Sequence, residues 1–528
     1  MRQAPAGGAV PGARPGGPAP PDRARPRPWW RAAPGRTVDP GLVLALLVLA
    51  TLSRRLGYLF SHSFWLDEGW VADSVRAPLH QLRLLTSSTP IGWTLLLRLV
   101  PPLGPPERLR LLPIAFAVAA VVPAYLLGRR LGRVQAVAAG VAAAIAPSAL
   151  ANDDLKQYTA DVFVTLLLLW LAARVEADWR SGRVALLCAA CVPAVLVSHA
   201  TVFASAAVLG ALGLRCLAER RWDRLRRLAL FGLALAAVEG GVYLAFLSVG
   251  DNAAMRRWWA AAFVPLSSGP GEAAAFVAAR LAGAFGRAGF GPWPLAALLA
   301  LAGLAALWRA RLPAVALAVP LLLAELMVAG AARRYPFLDE RTSLFFTVLL
   351  TVCAGLGAGA LVAWACRRPV TVPLGLAAAG LAAALLVPAS REAVRTPMPG
   401  SSLREQVAFV LANRRPGDVV VVGRSASFAF AYYWPDRPTF VPTRTGSAVL
   451  FQVEYPGRPE LVVNHRRSQP DADAAIREAS ARTRSGRVWL VLAEAGDGGP
   501  TWPRAAPTAR RANGSRLPLL LLPAASRG

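Results

Sequence analysis

Asp67 and Glu68 stand side by side in the stretch Ser63-Phe64-Trp65-Leu66-Asp67-Glu68-Gly69-Trp70, between tryptophans and directly after the first long apolar run of the chain. A carboxylate placed there can take the proton of an otherwise unreactive hydroxyl, and a positioned general base of this kind gains about 10² to 10⁴ in rate. The plainer reading is a solvated loop whose tryptophans form an aromatic belt. Other polar stretches at matching ends of apolar blocks favour the chemical one. The loop "NDDLKQYT" carries Asn152, Asp153, Asp154, Lys156, Gln157 and Tyr158, a junction further on carries Ser198 and His199, and "RRYPFLDERTS" carries Arg333, Arg334, Tyr335, Asp339, Glu340 and Arg341. Cations gathered near a base suit a reaction that leaves growing negative charge on a phosphate, so Lys156, Arg333, Arg334 and Arg341 are candidates for its cradle. Each has a second reading as a lipid head-group contact. Glu68 either orients Asp67 or the reacting hydroxyl, or bonds to backbone; His199 is either a helix-end residue or a participant.

The elements that must position these residues are membrane spans. The chain has 528 residues, of which 55% are hydrophobic and only 17% charged, and its apolar residues fall in blocks long enough to cross a bilayer. Blocks near 40–60, 111–128, 134–151, 160–174, 184–198, 201–217, 228–248, 293–308, 312–330, 343–365 and 370–389 give about eleven spans. The net charge of +28 would suggest nucleic acid in a soluble protein, but here the arginines cluster between apolar blocks, as topology signals do. Basic loops at 129–133, 174–183, 219–227, 309–311 and 367–368 all fall on one side, which predicts a cytoplasmic N-terminus. Of the 58 basic residues only Lys156 is lysine, and the Ala, Arg, Gly and Pro bias is that of a GC-rich bacterial gene.

Three regions follow. Residues 1–39, rich in Pro, Gly and Arg, predict a disordered basic cytoplasmic tail. Residues 40–390 form the transmembrane domain, with a large first external loop at 61–107 in which Val71, Val75, Leu79, Leu82 and Leu85 predict a helix lying in the interface. Residues 391–528 read as a small soluble α/β domain: a helix with Leu403, Val407 and Leu411 on one face, a buried strand at 418–422, a second helix at 471–483 and a strand in "RVWLVLAE". An odd number of spans places that domain outside the cytoplasm. The five cysteines all lie in or at the ends of apolar segments, which argues against a disulfide framework. The four histidines show no metal-ligand spacing, so a divalent metal requirement stays open.

The arrangement resembles the GT-C membrane glycosyltransferases, in the branch of the protein O-mannosyltransferases, the aminoarabinose transferase for lipid A and the RgtA/B/C/D-like bacterial proteins. The resemblance spans roughly residues 40–390. It rests on "WLDE" at the head of the first external loop, on "TPIGWTLLLRL", on a polar loop with Tyr158 before the fourth span, and on "RRYPFLDER" before a late one. Lys156-Gln157-Tyr158 stands where many relatives have Arg-Pro-Tyr. The resemblance implies an all-α polytopic fold, with Asp67 activating the acceptor. It also implies a polyprenyl-phosphate sugar as donor and a lipid, glycan or protein as acceptor, both handled at the outer face of the cytoplasmic membrane. Two other classes stay open: a transporter or flippase for a lipid-linked glycan, to which Glu239 and Glu325 inside apolar spans would belong, and a non-catalytic scaffold with an external binding domain.

Overall fold

A computed structural model describes residues 39–101, 104–152, 154–395, 402–443, 450–465, 468–493, 510–511 and 519–522. The expected N-terminal tail over 1–38 and Asp153 lie outside this set.

Apolar sequence becomes helix because a backbone in lipid must satisfy its own hydrogen bonds. Among the described residues, seven helices are long and apolar enough to cross a membrane: Pro106–Gly128, Arg133–Ala151, Thr201–Ala218, Trp222–Gly250, Pro313–Ala331, Leu344–Ala365 and Pro369–Arg395. Helix Tyr158–Ala177 and the shorter apolar helices Pro40–Leu52, Ser181–Val197 and Trp293–Arg309 fill the other expected positions, so the chain is a multi-pass membrane protein. Leu344–Ala365 is buried along most of its length and forms the centre of the bundle, whereas Trp222–Gly250 turns Leu230, Leu233 and Leu244 outward and Pro369–Arg395 turns Leu374, Leu376 and Leu381 outward. Close packing at that centre uses glycine: a Cβ on Gly303 would overlap the carbonyl of Cys353, and one on Gly357 would overlap that of Leu299.

The C-terminal region builds a five-stranded sheet in the order Leu461–Val463, Val419–Val422, Val488–Val491, Leu519–Leu522, Arg510–Arg511, the first three parallel and the last two antiparallel. Helix Leu403–Asn413 covers it through Leu403, Val407 and Val410; Leu411, expected on that face, points outward. Helix Gln469–Arg482 packs with Ala472, Ala475 and Ala479.

The first loop departs from expectation. Instead of one helix it holds Leu66–Arg76, a turn at Leu79–Gln81 and Leu82–Leu85, and helix Leu66–Arg76 packs on helix Ser427–Tyr433 with Val71 and Ala72 buried. The pull comes from aromatics. Trp70 meets Phe428 and Phe451 at 5.6 and 5.0 Å, Phe64 meets Tyr432 and Tyr433, and Arg76 stacks 3.5 Å above the Tyr432 ring. Such pairs add about 0.5–1.5 kcal/mol each beyond area burial. Gly69 permits the approach, since a Cβ there would overlap the Ala429 nitrogen and stand 2.8 Å from its Cα. Gly69→Ala is therefore expected to destabilise the protein by about 1–3 kcal/mol, the usual penalty of overpacking, and to expose the C-terminal region to protease. Thermal unfolding and limited proteolysis in detergent check this; an unchanged melting curve would mean that the two regions are not wedged together.

Candidate active site

Both carboxylates occupy the first turn of helix Leu66–Arg76, where the unpaired N–H groups and the helix dipole favour negative charge. Successive helix positions face different ways, and the two side chains part accordingly. Glu68 turns inward and is 2% exposed. It accepts a two-pronged pair from Arg110, Nε to Oε1 at 2.7 Å and Nη2 to Oε2 at 2.5 Å, together with the backbone N–H of Leu155 at 3.1 Å. Arg110 also donates to the carbonyls of Leu59, His62 and Ser63. Glu68 thus staples the helix start to the loop that carries Lys156, and it stands as a positioning residue.

Asp67 turns the other way, toward the cations. Its Oδ2 lies 2.9 Å from Arg341 Nη1 and 3.3 Å from Lys156 Nζ, with the side chain one-fifth exposed. Arg341 Nη2 bonds Asp154 Oδ2 at 2.6 Å, and Asp154 Oδ1 accepts the Lys156 N–H at 3.1 Å. The Arg341 guanidinium lies 4.8 Å from the Trp65 ring and 5.3 Å from that of Tyr158. Two acids therefore alternate with two bases. Burial alone would raise the Asp67 carboxyl, but Lys156 and Arg341 outweigh it and hold it below the usual carboxylate range. Burial raises Asp154, against the pull of Arg341. Burial likewise opposes the charge of Arg341, yet Asp154, Tyr158 and Asp67 together push its pKa up.

His199 sits in the turn between helices Ser181–Val197 and Thr201–Ala218. Asp161 Oδ1 holds that turn by accepting from Ser198 Oγ at 2.6 Å and Ala200 N at 3.3 Å. His199 Nδ1 is 3.4 Å from Gln157 Nε2. Burial, with Lys156 nearby, pushes the imidazole down to about 4, so it is neutral at pH 7. Tyr335 does not reach Asp67: its hydroxyl donates to the Thr342 carbonyl at 2.5 Å and its ring abuts Phe203, bracing the loop. Arg333 and Arg334 leave the centre altogether. A left-handed turn at Arg333 (φ 56°) sends Arg333 over Phe263 and Arg334 to Asp251, while a second at Leu338 (φ 47°) lets Arg341 return to Asp67.

The structure thus joins Asp67, Lys156, Tyr158 and Arg341, adds His199 through Gln157, and separates Glu68, Tyr335, Arg333 and Arg334 from them. It adds Asp154 and Arg110, neither selected from the sequence. Asp154 is visible there as a carboxylate two residues before Lys156; Arg110 is one of many arginines and carries no mark. Buried Trp65 Nε1, Arg341 Nε, Ser343 Oγ, His199 Nε2 and Gln157 Oε1 find no hydrogen-bond partner among the described residues. Buried polar atoms are normally paired, and such a set on residues bordering one centre suits a ligand rich in hydroxyl and phosphate oxygens.

No family model and no curated protein sequence matches the chain. Solved structures do. ArnT from Cupriavidus metallidurans in the apo state aligns with a TM-score of 0.50 at 15% identity, over 92% of this chain and 97% of its own. The Archaeoglobus fulgidus oligosaccharyltransferase AglB, in complex with an inhibitory peptide and a dolichol-phosphate, gives 0.49 at 11% identity over 85% of this chain and 69% of its own. The fold is that of the GT-C membrane glycosyltransferases. ArnT, an aminoarabinose transferase, shares it over nearly the whole of both chains.

Proposed function

We propose that the protein transfers a sugar from a polyprenyl-phosphate-linked donor to an acceptor hydroxyl at the outer face of the cytoplasmic membrane, with the N-terminus cytoplasmic and the C-terminal domain outside. The observation that carries this reading is the Asp67 carboxylate held ionised between Lys156 and Arg341 at one end of a membrane bundle. The acceptor oxygen attacks the anomeric carbon while Asp67 takes its proton. The bond from that carbon to the phosphate oxygen breaks, and its electron pair stays on the phosphate. Lys156 and Arg341 meet the charge that grows there. The same two cations depress Asp67 as long as they are its partners. A phosphate that draws them off raises its basicity at the moment a base is required, which couples donor binding to base strength. Neutral His199 serves as a hydrogen-bonding group, and Tyr158 lines the place where Arg341 lies.

Lys156 tests this coupling. Lys156→Ala is expected to weaken donor binding about tenfold or more, as loss of a charge-assisted contact does, and Lys156→Arg to keep part of it, since a fork replaces a point charge. Lys156→Ala should also move the acidic limb of kcat/KM toward higher pH. Asp67 is held below its ordinary value, so the base form survives to lower pH in the wild type and is lost sooner once a depressing cation is gone. Donor titration and a pH profile measure both; equal affinity and superposable profiles in all three proteins would reduce Lys156 to a head-group contact.

A second reading has one observation behind it. Glu239 accepts from Ser205 at 3.2 Å, and Glu325 keeps a buried oxygen without a hydrogen-bond partner among the described residues, both within membrane helices, as a transporter of a lipid-linked glycan would have.

A further inference from the structure

Arg333 and Arg334, turned away from Asp67, border a cavity of about 450 Å³ lined by Ala253, Arg256, Arg257, Ala332, Arg333 and Arg334. Four arginines from two distant segments thus line one space. The nearby carboxylate is Asp251, which pairs with Arg256 and Arg334 and also accepts from Tyr243 at 2.9 Å. Arg257 and Arg333 have no carboxylate partner among the described residues. The cavity adjoins the end of helix Trp222–Gly250, at the same end of the bundle as the loop that delivers Arg341. Trp258, next in the chain to Arg257, is 60% exposed.

We infer that this cavity binds the phosphate-bearing head group of an anionic lipid, at a site separate from the Asp67 centre. Forked guanidinium groups match phosphate oxygens two at a time. The surplus of positive charge has no counter-ion among the described residues, and gathering it in a concavity is favourable when an anion sits there. The exposed Trp258 that follows Arg257 gives the acyl part of such a ligand an apolar surface, which a free phosphate would not use. The assignment does not depend on the transfer reading, because it is scored by lipid binding alone.

The test uses full-length protein in zwitterionic detergent micelles and fluorescent phosphatidic acid as probe, with fluorescent phosphatidylcholine, zwitterionic and without net charge, as control and inorganic phosphate as competitor. The paired substitution Arg257→Gln with Arg333→Asn removes both uncommitted cations at exposed positions, asparagine tolerating the left-handed backbone. It should weaken phosphatidic acid binding about tenfold or more and leave phosphatidylcholine and the melting temperature unchanged. The pair Arg257→Lys with Arg333→Lys should fall between, and Lys156→Ala, which removes a cation from the Asp67 centre, should bind as the wild type does. Unchanged affinity in the Gln/Asn protein would overturn the assignment, as would an equal loss in Lys156→Ala, which would put the lipid in the catalytic centre. Displacement by inorganic phosphate at the probe's own concentration would overturn the lipid as the ligand and leave a free-anion site.

Discussion

Asp67→Asn is expected to lower turnover about 10²- to 10⁴-fold while fold and donor affinity persist. The asparagine keeps size and most hydrogen bonding but accepts no proton. Stability should hold because the side chain is partly exposed, which screens its ion pairs, and because Arg341 keeps Asp154 as a partner at 2.6 Å. Donor affinity should be equal or slightly higher, since Lys156 and Arg341 lose a competitor. Kinetics with a radiolabelled donor and a parallel melting curve decide it. Wild-type turnover in Asp67→Asn would remove the base from the mechanism, and a variant that is unstable yet fully active per folded molecule would return Asp67 to a structural loop.

Arg110→Met is expected to produce the largest loss of stability, about 3–5 kcal/mol, because it strands Glu68 as an uncompensated charge 2% exposed to solvent. Glu68→Gln alone should destabilise less, since a neutral amide still meets the Leu155 N–H. The double change Arg110→Met with Glu68→Gln should recover more than half of the Arg110→Met loss. That pattern separates a buried ion pair from two independent contacts. Unfolding curves for the four proteins give the coupling directly; additive losses would contradict it. Glu68→Gln should also reduce turnover far less than Asp67→Asn, in keeping with its place on Arg110 and the Leu155 backbone.

The membrane architecture was legible because hydrophobic length translates directly into spanning helices, and so Leu344–Ala365 or Pro313–Ala331 could be placed within a residue or two. Asp67, Lys156 and Arg341 were legible as charges stranded at the ends of apolar blocks. What the chain could not announce was direction. Whether "RRYPFLDER" aims all its arginines at one centre or divides them is decided by two left-handed residues, Arg333 and Leu338, neither of a type that marks such a turn. Glu68 and Asp67 are chemically near-equal neighbours, and only the helix start at Leu66 parts them. The stretch 71–85 read as one helix but breaks after Arg76, and Trp70 just before it meets Phe428 and Phe451 more than 350 residues later, a long-range pairing with no local signature.

The central claim is that the Asp67 centre breaks the bond between a sugar and a lipid-linked phosphate. Purified protein in proteoliposomes, given a polyprenyl-phosphate sugar and a membrane extract as acceptor source, allows release of free polyprenyl phosphate to be followed by mass spectrometry. The account predicts release that requires acceptor, saturates with donor and falls about 10²-fold or more in Asp67→Asn. Movement of intact donor across the bilayer without release, at the same rate in wild type and Asp67→Asn, would contradict it and establish a transporter instead.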